Sequence, residues 1–105
     1  MSNPIDIVCD YVSGLGAQVL DRRSGSGTDA YTPDIVARFD GGVLAFVRVR
    51  ARAGADTEVS PADLAQLRAE AVQWFTRNET DYQSVRIDIA AVTANGMIHY
   101  RPAAG

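Results

Sequence analysis

The sequence predicts an α/β fold: a mixed β-sheet of four to five strands flanked by two main helices. Two runs, "PDIVARF" and "VLAFVRVRA", flank Asp40-Gly41-Gly42 and alternate apolar with polar residues, which is the pattern of a β-hairpin. The segment "SPADLAQLRAEAVQWF" carries apolar residues at helical spacing behind a Ser60-Pro61-Asp63 start. The order helix, strand, hairpin, helix, strand, strand fits helices packed on a mixed sheet. At 105 residues the chain has length for one small core, so residues 1–105 are expected to form a single domain.

The first helix begins at Asn3-Pro4-Ile5-Asp6, with Asn as N-cap, Pro in the first turn and an acid behind it. Ile7, Val8, Tyr11, Val12 and Leu15 recur at helical spacing until "GLG" stops the run. "AQVLDRR" reads as a short strand, and 24–32 as a flexible loop that is not a phosphate loop, because no Lys-Ser/Thr follows it. In the hairpin, Ile35, Ala37, Phe39, Val43, Ala45, Val47 and Val49 are all odd-numbered, while Asp34, Arg38, Arg48 and Arg50 are even. One apolar face survives only if odd pairs with odd, which a three-residue loop over 40–42 provides. Asp34 is then opposite Arg48 and diagonal to Arg50. In the second helix Leu64, Leu67, Ala71 and Trp74 or Phe75 form the apolar stripe, with Trp74 expected in the core. "VRIDIAAV" alternates as a strand with Val85, Ile87, Ile89 and Ala91 on one face. "ANG" turns, "MIHYR" returns, and 102–105 is expected to fray. Asp88 is expected to be structural and paired with an arginine.

Composition excludes several functions. A net charge of -3 and a pI near 4.9 are the wrong sign for general attraction to nucleic acid or anionic lipid. No apolar run is long enough to span a membrane. The start "MSNPIDIVCDYV" lacks the basic region of a signal peptide, so the cytoplasm of a bacterial-type cell is the expected location by exclusion. Cys9 has no partner for a disulfide and reads as a buried, inert thiol. Cys9 and His99 cannot build a zinc site alone, and nothing in the sequence places them together as a nucleophile pair. All ten basic residues are arginine. A mechanism that needs a titratable lysine is therefore excluded, because arginine does not deprotonate in proteins.

The stretch "LAFVRVRARAG" puts Arg48, Arg50 and Arg52 on one strand face. "PD" at the base of one strand and a charged triplet on the next resemble the restriction-endonuclease-like superfamily, whose nucleases carry PD, a gap, then (D/E)-x-K. Within it the chain is most similar to the YraN family of small bacterial endonuclease-like proteins. "YVSGLGAQVL", "TPDIVA", "FVRVRARAG" and "VRIDIAAV" match that family's motifs in order, across roughly residues 5–101. The resemblance implies a restriction-endonuclease-like core and a metal-dependent nuclease site.

The departures point the other way. Asp34 is kept, but the resemblance places the metal-ligand Glu at Arg48, the Lys at Arg50, an earlier Glu at Thr32 and a helix acid at Ile5. One acid flanked by two guanidinium groups repels a metal, so no cofactor and no catalytic residue is expected, and the site at Asp34, Arg48 and Arg50 reads as degenerate. The family's basic helix segment is here "SPADLAQLRAE", with Asp63 and Glu70 against Arg68 alone, so nucleic-acid binding is expected to be weak. The first reading of Arg48 and Arg50 is a solvated strand face balanced by Asp34. The second is an anion or acidic-partner pocket of Arg48, Arg50 and Arg52 with Arg38 or Arg22, because guanidinium forks suit phosphates and carboxylates. The third is a surviving metal nuclease built from other acids, such as Asp34 with Asp88. The function expected is a catalytically inactive nuclease-like domain serving as a protein-interaction or regulatory module. The alternatives are a non-hydrolytic nucleic-acid or anion binder and, last, an active metal-dependent endonuclease. The partner and the oligomeric state are left open.

Overall fold

A computed structural model describes residues 3–23, 33–51 and 57–103. The first helix, α1 (Pro4–Gly14), starts where the sequence says: the Asn3 side chain accepts the Ile5 N–H at 2.9 Å. Strands β1 (Gln18–Arg22), β2 (Ile35–Phe39) and β3 (Val43–Ala51) follow, then α2 (Pro61–Arg77), β4 (Ser84–Val92) and β5 (Ile98–Arg101). The capping box at the head of α2 is complete. Asp63 N–H donates to Ser60 Oγ, and Ser60 N–H donates back to Asp63 Oδ2, both at 3.1 Å.

The strands form one five-stranded sheet in the order β1-β2-β3-β4-β5. The β2–β3 hairpin has the expected register: Ile35 pairs with Val47, Ala37 with Ala45 and Phe39 with Val43. Gly41 and Gly42 in its loop have φ of +83° and +75°, which glycine alone adopts without strain. Gly42 is also tight, since a Cβ there would lie 2.9 Å from the Gln83 side chain. The chain then crosses over through α2, so β3 and β4 pair in parallel, with Val47 beside Asp88 and Arg48 beside Ile89.

The odd-numbered hairpin face packs under α1, where Val8, Cys9 and Val12 bury Ile35, Ala37, Ala45 and Val47. The even-numbered face is buried too, which corrects the expectation of a solvated strand face. Val36, Leu44 and Phe46 pack beneath Ala71 and Trp74 of α2, and Leu67 packs on Ile87 and Ile89. Phe46 meets Trp74 and Phe75 edge-on, at ring-centroid distances of 5.7 and 5.5 Å. Helix and sheet therefore close over the row that carries Arg48. The loop 24–32, Arg52 and residues 104–105 lie outside the described residues. Within the described part of the tail, the Ala103 N–H donates to Asp88 at 3.0 Å.

Candidate functional site

The site lies where the base of β2, the far end of β3 and the middle of α2 meet. Asp34 comes just before β2 and is buried, its side chain 8 % exposed. Its Oδ2 accepts the Val49 N–H at 2.9 Å and lies 3.6 Å from Arg48 Nη1. Its Oδ1 lies 3.4 Å from Arg23, at the end of β1. Odd-with-odd pairing carried one step past Ile35 brings Asp34 to Arg48, as the sequence implies.

The sequence reading placed Asp34 alone at this point, and the structure corrects that. Glu70 of α2, its side chain 1 % exposed, accepts a hydrogen bond from Arg48 Nη2 through Oε2. The sequence reading counted Glu70 only as one of the acids, with Asp63, that weaken nucleic-acid binding by this helix. Its spacing gave a signal, because 67, 70, 71 and 74 lie on one helical face and all four are buried. Arg23 was missed for another reason: its approach depends on the β1–β2 register, which shifts between Val19 and Asp21. Burial pushes the Glu70 carboxyl above the usual carboxylate range, and the nearby Arg48 charge offsets only part of that rise. Glu70 Oε1 is buried and makes no hydrogen bond.

Arg50, two residues on, reaches Asp63 Oδ2 at 3.3 Å and donates to the Glu58 carbonyl. Hydrogen bonds from Ser60 hold the Asp63 carboxyl below its usual range, with Arg50 and Arg48 adding to the effect. Between them lies a polar cleft of about 250 Å³ lined by Arg48, Arg50, Asp63, Gln66 and Leu67. Three guanidinium groups (Arg23, Arg48, Arg50) thus meet three carboxylates (Asp34, Glu70, Asp63).

Arg38 and Arg22 do not join this cluster. Arg38 is four residues along the strand row from Asp34, roughly 13 Å, and donates to the Asp81 carbonyl at the hairpin end. Arg22 pairs with Asp6 of α1 at 2.8 Å. Asp88 is on the opposite sheet face, beside Val47 rather than Arg48. It is fully buried and takes both arms of Arg86 at 2.8 and 2.9 Å, the Tyr100 hydroxyl and the Ala103 N–H. Asp34 and Asp88 therefore do not share a site. Cys9 is buried, which pushes its thiol up, and His99 is exposed on β5. Among the described residues no helix is long and apolar enough to cross a membrane.

Residues 6–92, most of the chain, match the sequence profile described as "Uncharacterised protein family UPF0102". The chain belongs to the UPF0102 (YraN) family. No curated protein is matched. Among solved structures this UPF0102 chain is similar to Hjc, a Holliday junction resolvase from Archaeoglobus fulgidus, an archaeal hyperthermophile. The TM-score is 0.62 at 19% identity, over 93% of this chain and 72% of that one. The fold of this UPF0102 member is accordingly restriction-endonuclease-like.

The resemblance to PD-(D/E)-x-K nucleases implies a divalent metal at the Asp34 end of the sheet, and the described residues do not fit one while Arg48 stands among them. No group of three or more His, Cys, Asp or Glu among the described residues could hold a metal ion. The two carboxylates that converge there, Asp34 and Glu70, both contact the Arg48 guanidinium.

Proposed function

We propose that this protein is a nuclease-like module without catalytic activity, acting in the cytoplasm through binding to a protein partner or as a regulatory subunit. One observation carries the reading: the Arg48 guanidinium stands between Asp34 and Glu70. Metal-dependent phosphodiester hydrolysis needs carboxylates free to hold the ion and a group that orients or deprotonates water. Here both carboxylates face a fixed cation, and the chain has no lysine to serve as base. A lone buried cysteine, Cys9, suits a reducing compartment. The test is incubation of the purified protein with plasmid, single-stranded DNA and RNA under Mg²⁺ and Mn²⁺. The expected result is no cleavage above background. Metal-dependent cleavage that vanishes in Asp34→Ala would overturn the reading.

A second reading is a nucleic-acid binder that does not hydrolyse. The likeness to Hjc, a Holliday junction resolvase, and the Arg48–Arg50 cleft favour it. Against it stand the three acids that neutralise Arg23, Arg48 and Arg50. Fluorescence anisotropy with a four-way DNA junction at low salt separates the two. Tight, salt-sensitive binding that weakens in Arg50→Ala favours the binder, and none favours the interaction module.

A further inference from the structure

We propose that the Arg48 guanidinium is a resident cation filling a two-carboxylate site made by Asp34 and Glu70, and that a divalent metal occupies this site once the guanidinium is removed. The inference rests on the reading of the centre as closed to metal and explains what closes it.

Two acids from different elements converge on the two terminal nitrogens of one side chain: Asp34 Oδ2 on Nη1 and Glu70 Oε2 on Nη2. Both are buried, and buried carboxylates need a cation or a proton nearby. The second buried aspartate shows what saturation looks like. Asp88 accepts hydrogen bonds from both arms of Arg86, from Tyr100 and from Ala103, which leaves no oxygen over. Glu70 differs, because its Oε1 is buried without a hydrogen bond. It is a carboxylate oxygen placed beside a cation, on a group whose hydrogen-bond partners are Arg48 and the Gln66 side chain. Asp34 is held in place from behind by the Val49 N–H and by Arg23, so it keeps its orientation if Arg48 is lost. Arg50 does not bar a metal, since Asp63 neutralises it. The adjoining polar cleft admits water to complete the shell. Two carboxylates with several waters is an ordinary set for Mg²⁺ or Mn²⁺.

The test measures Mn²⁺ affinity by calorimetry and electron paramagnetic resonance at neutral pH. It compares wild type, Arg48→Ala, Arg48→Ala/Glu70→Gln and Arg48→Ala/Asp34→Asn. Arg48→Ala is expected to bind Mn²⁺ about tenfold tighter than wild type or better, and each double variant to return to the wild-type value. If Arg48→Ala is unfolded without metal, recovery of its circular dichroism on adding Mn²⁺ supports the proposal. Arg48→Gln, which keeps bulk and removes charge, is then titrated in parallel. Arg48 variants that bind no tighter than wild type, or that bind equally well without the Glu70 carboxylate, overturn it. Binding is scored without cleavage. Nuclease activity in the wild type would therefore sink the inactive reading separately, while the affinity comparison still decides this one.

Discussion

Arg48 of β3 and Glu70 of α2 form an ion pair that is unequal in its surroundings: the acid is 1 % exposed and the cation 25 %. The asymmetry sets what each substitution does. Without Glu70, Arg48 can turn toward the cleft and water. Without Arg48, Glu70 has no such exit. Arg48→Ala is expected to destabilise by about 3 kcal/mol, the lower end of the range for a broken buried pair, and Glu70→Gln by about half as much. A double replacement by Met at both positions should recover most of the loss. Urea denaturation at neutral pH measures all three, and a Glu70→Gln loss larger than that of Arg48→Ala would show the asymmetry misread.

Asp34 ties β1 to the hairpin. Asp34→Ala removes the acceptor of the Val49 N–H and one partner each of Arg23 and Arg48. Both arginines are about a quarter exposed, at 23% and 25%, so they regain some hydration. The expected loss is about 2 kcal/mol, mostly from the unsatisfied N–H. Asp34→Asn keeps that acceptor and should cost about half as much. Hydrogen exchange at Val49 distinguishes them, with protection lost only in the alanine variant.

At the start of α2, Asp63 and Ser60 cap each other, and the carboxyl is held below its ordinary range. A lowered folded pKa means that the contribution is present above the unfolded value of 3.8 and is lost as pH falls through the folded one. NMR titration should show the Ser60 amide shift following Asp63 below pH 3.8. Ser60→Ala should raise the Asp63 midpoint toward its usual value and cost about 1 kcal/mol of stability. An unmoved midpoint would remove the capping box as its cause.

The Tyr100 hydroxyl is half-buried and donates to Asp88. Burial first, then the Asp88 hydrogen bond, raises its pKa far above the usual 10. A raised folded pKa contributes stability below the unfolded value, and that stability is lost as pH rises toward the folded one. The native protein should therefore titrate as many phenols as native Tyr100→Phe when followed at alkaline pH before unfolding. One fewer phenol in the variant would show that Tyr100 ionises in the folded chain.

Local chemistry in the sequence determined the helix starts at Asn3 and Ser60, the glycine loop at Gly41 and Gly42, and the odd-with-odd register that brings Asp34 to Arg48. Each depends on residues close in the chain, where capping groups and a period of two leave one low-energy answer. The UPF0102 membership and the nuclease-like fold were legible by resemblance, as four short motifs in order. Only the tertiary structure decided that α2 covers the even face of the sheet. Glu70 is 22 residues from Arg48, and the alternation of β3 is the same whether that face meets water or a helix. The crossover between parallel β3 and β4 sets α2 on that face, and burying Leu67, Ala71 and Trp74 carries Glu70 down with them. Long-range packing thereby set Arg48 and Arg50, which alternation presents on a solvated face, against the acids of α2.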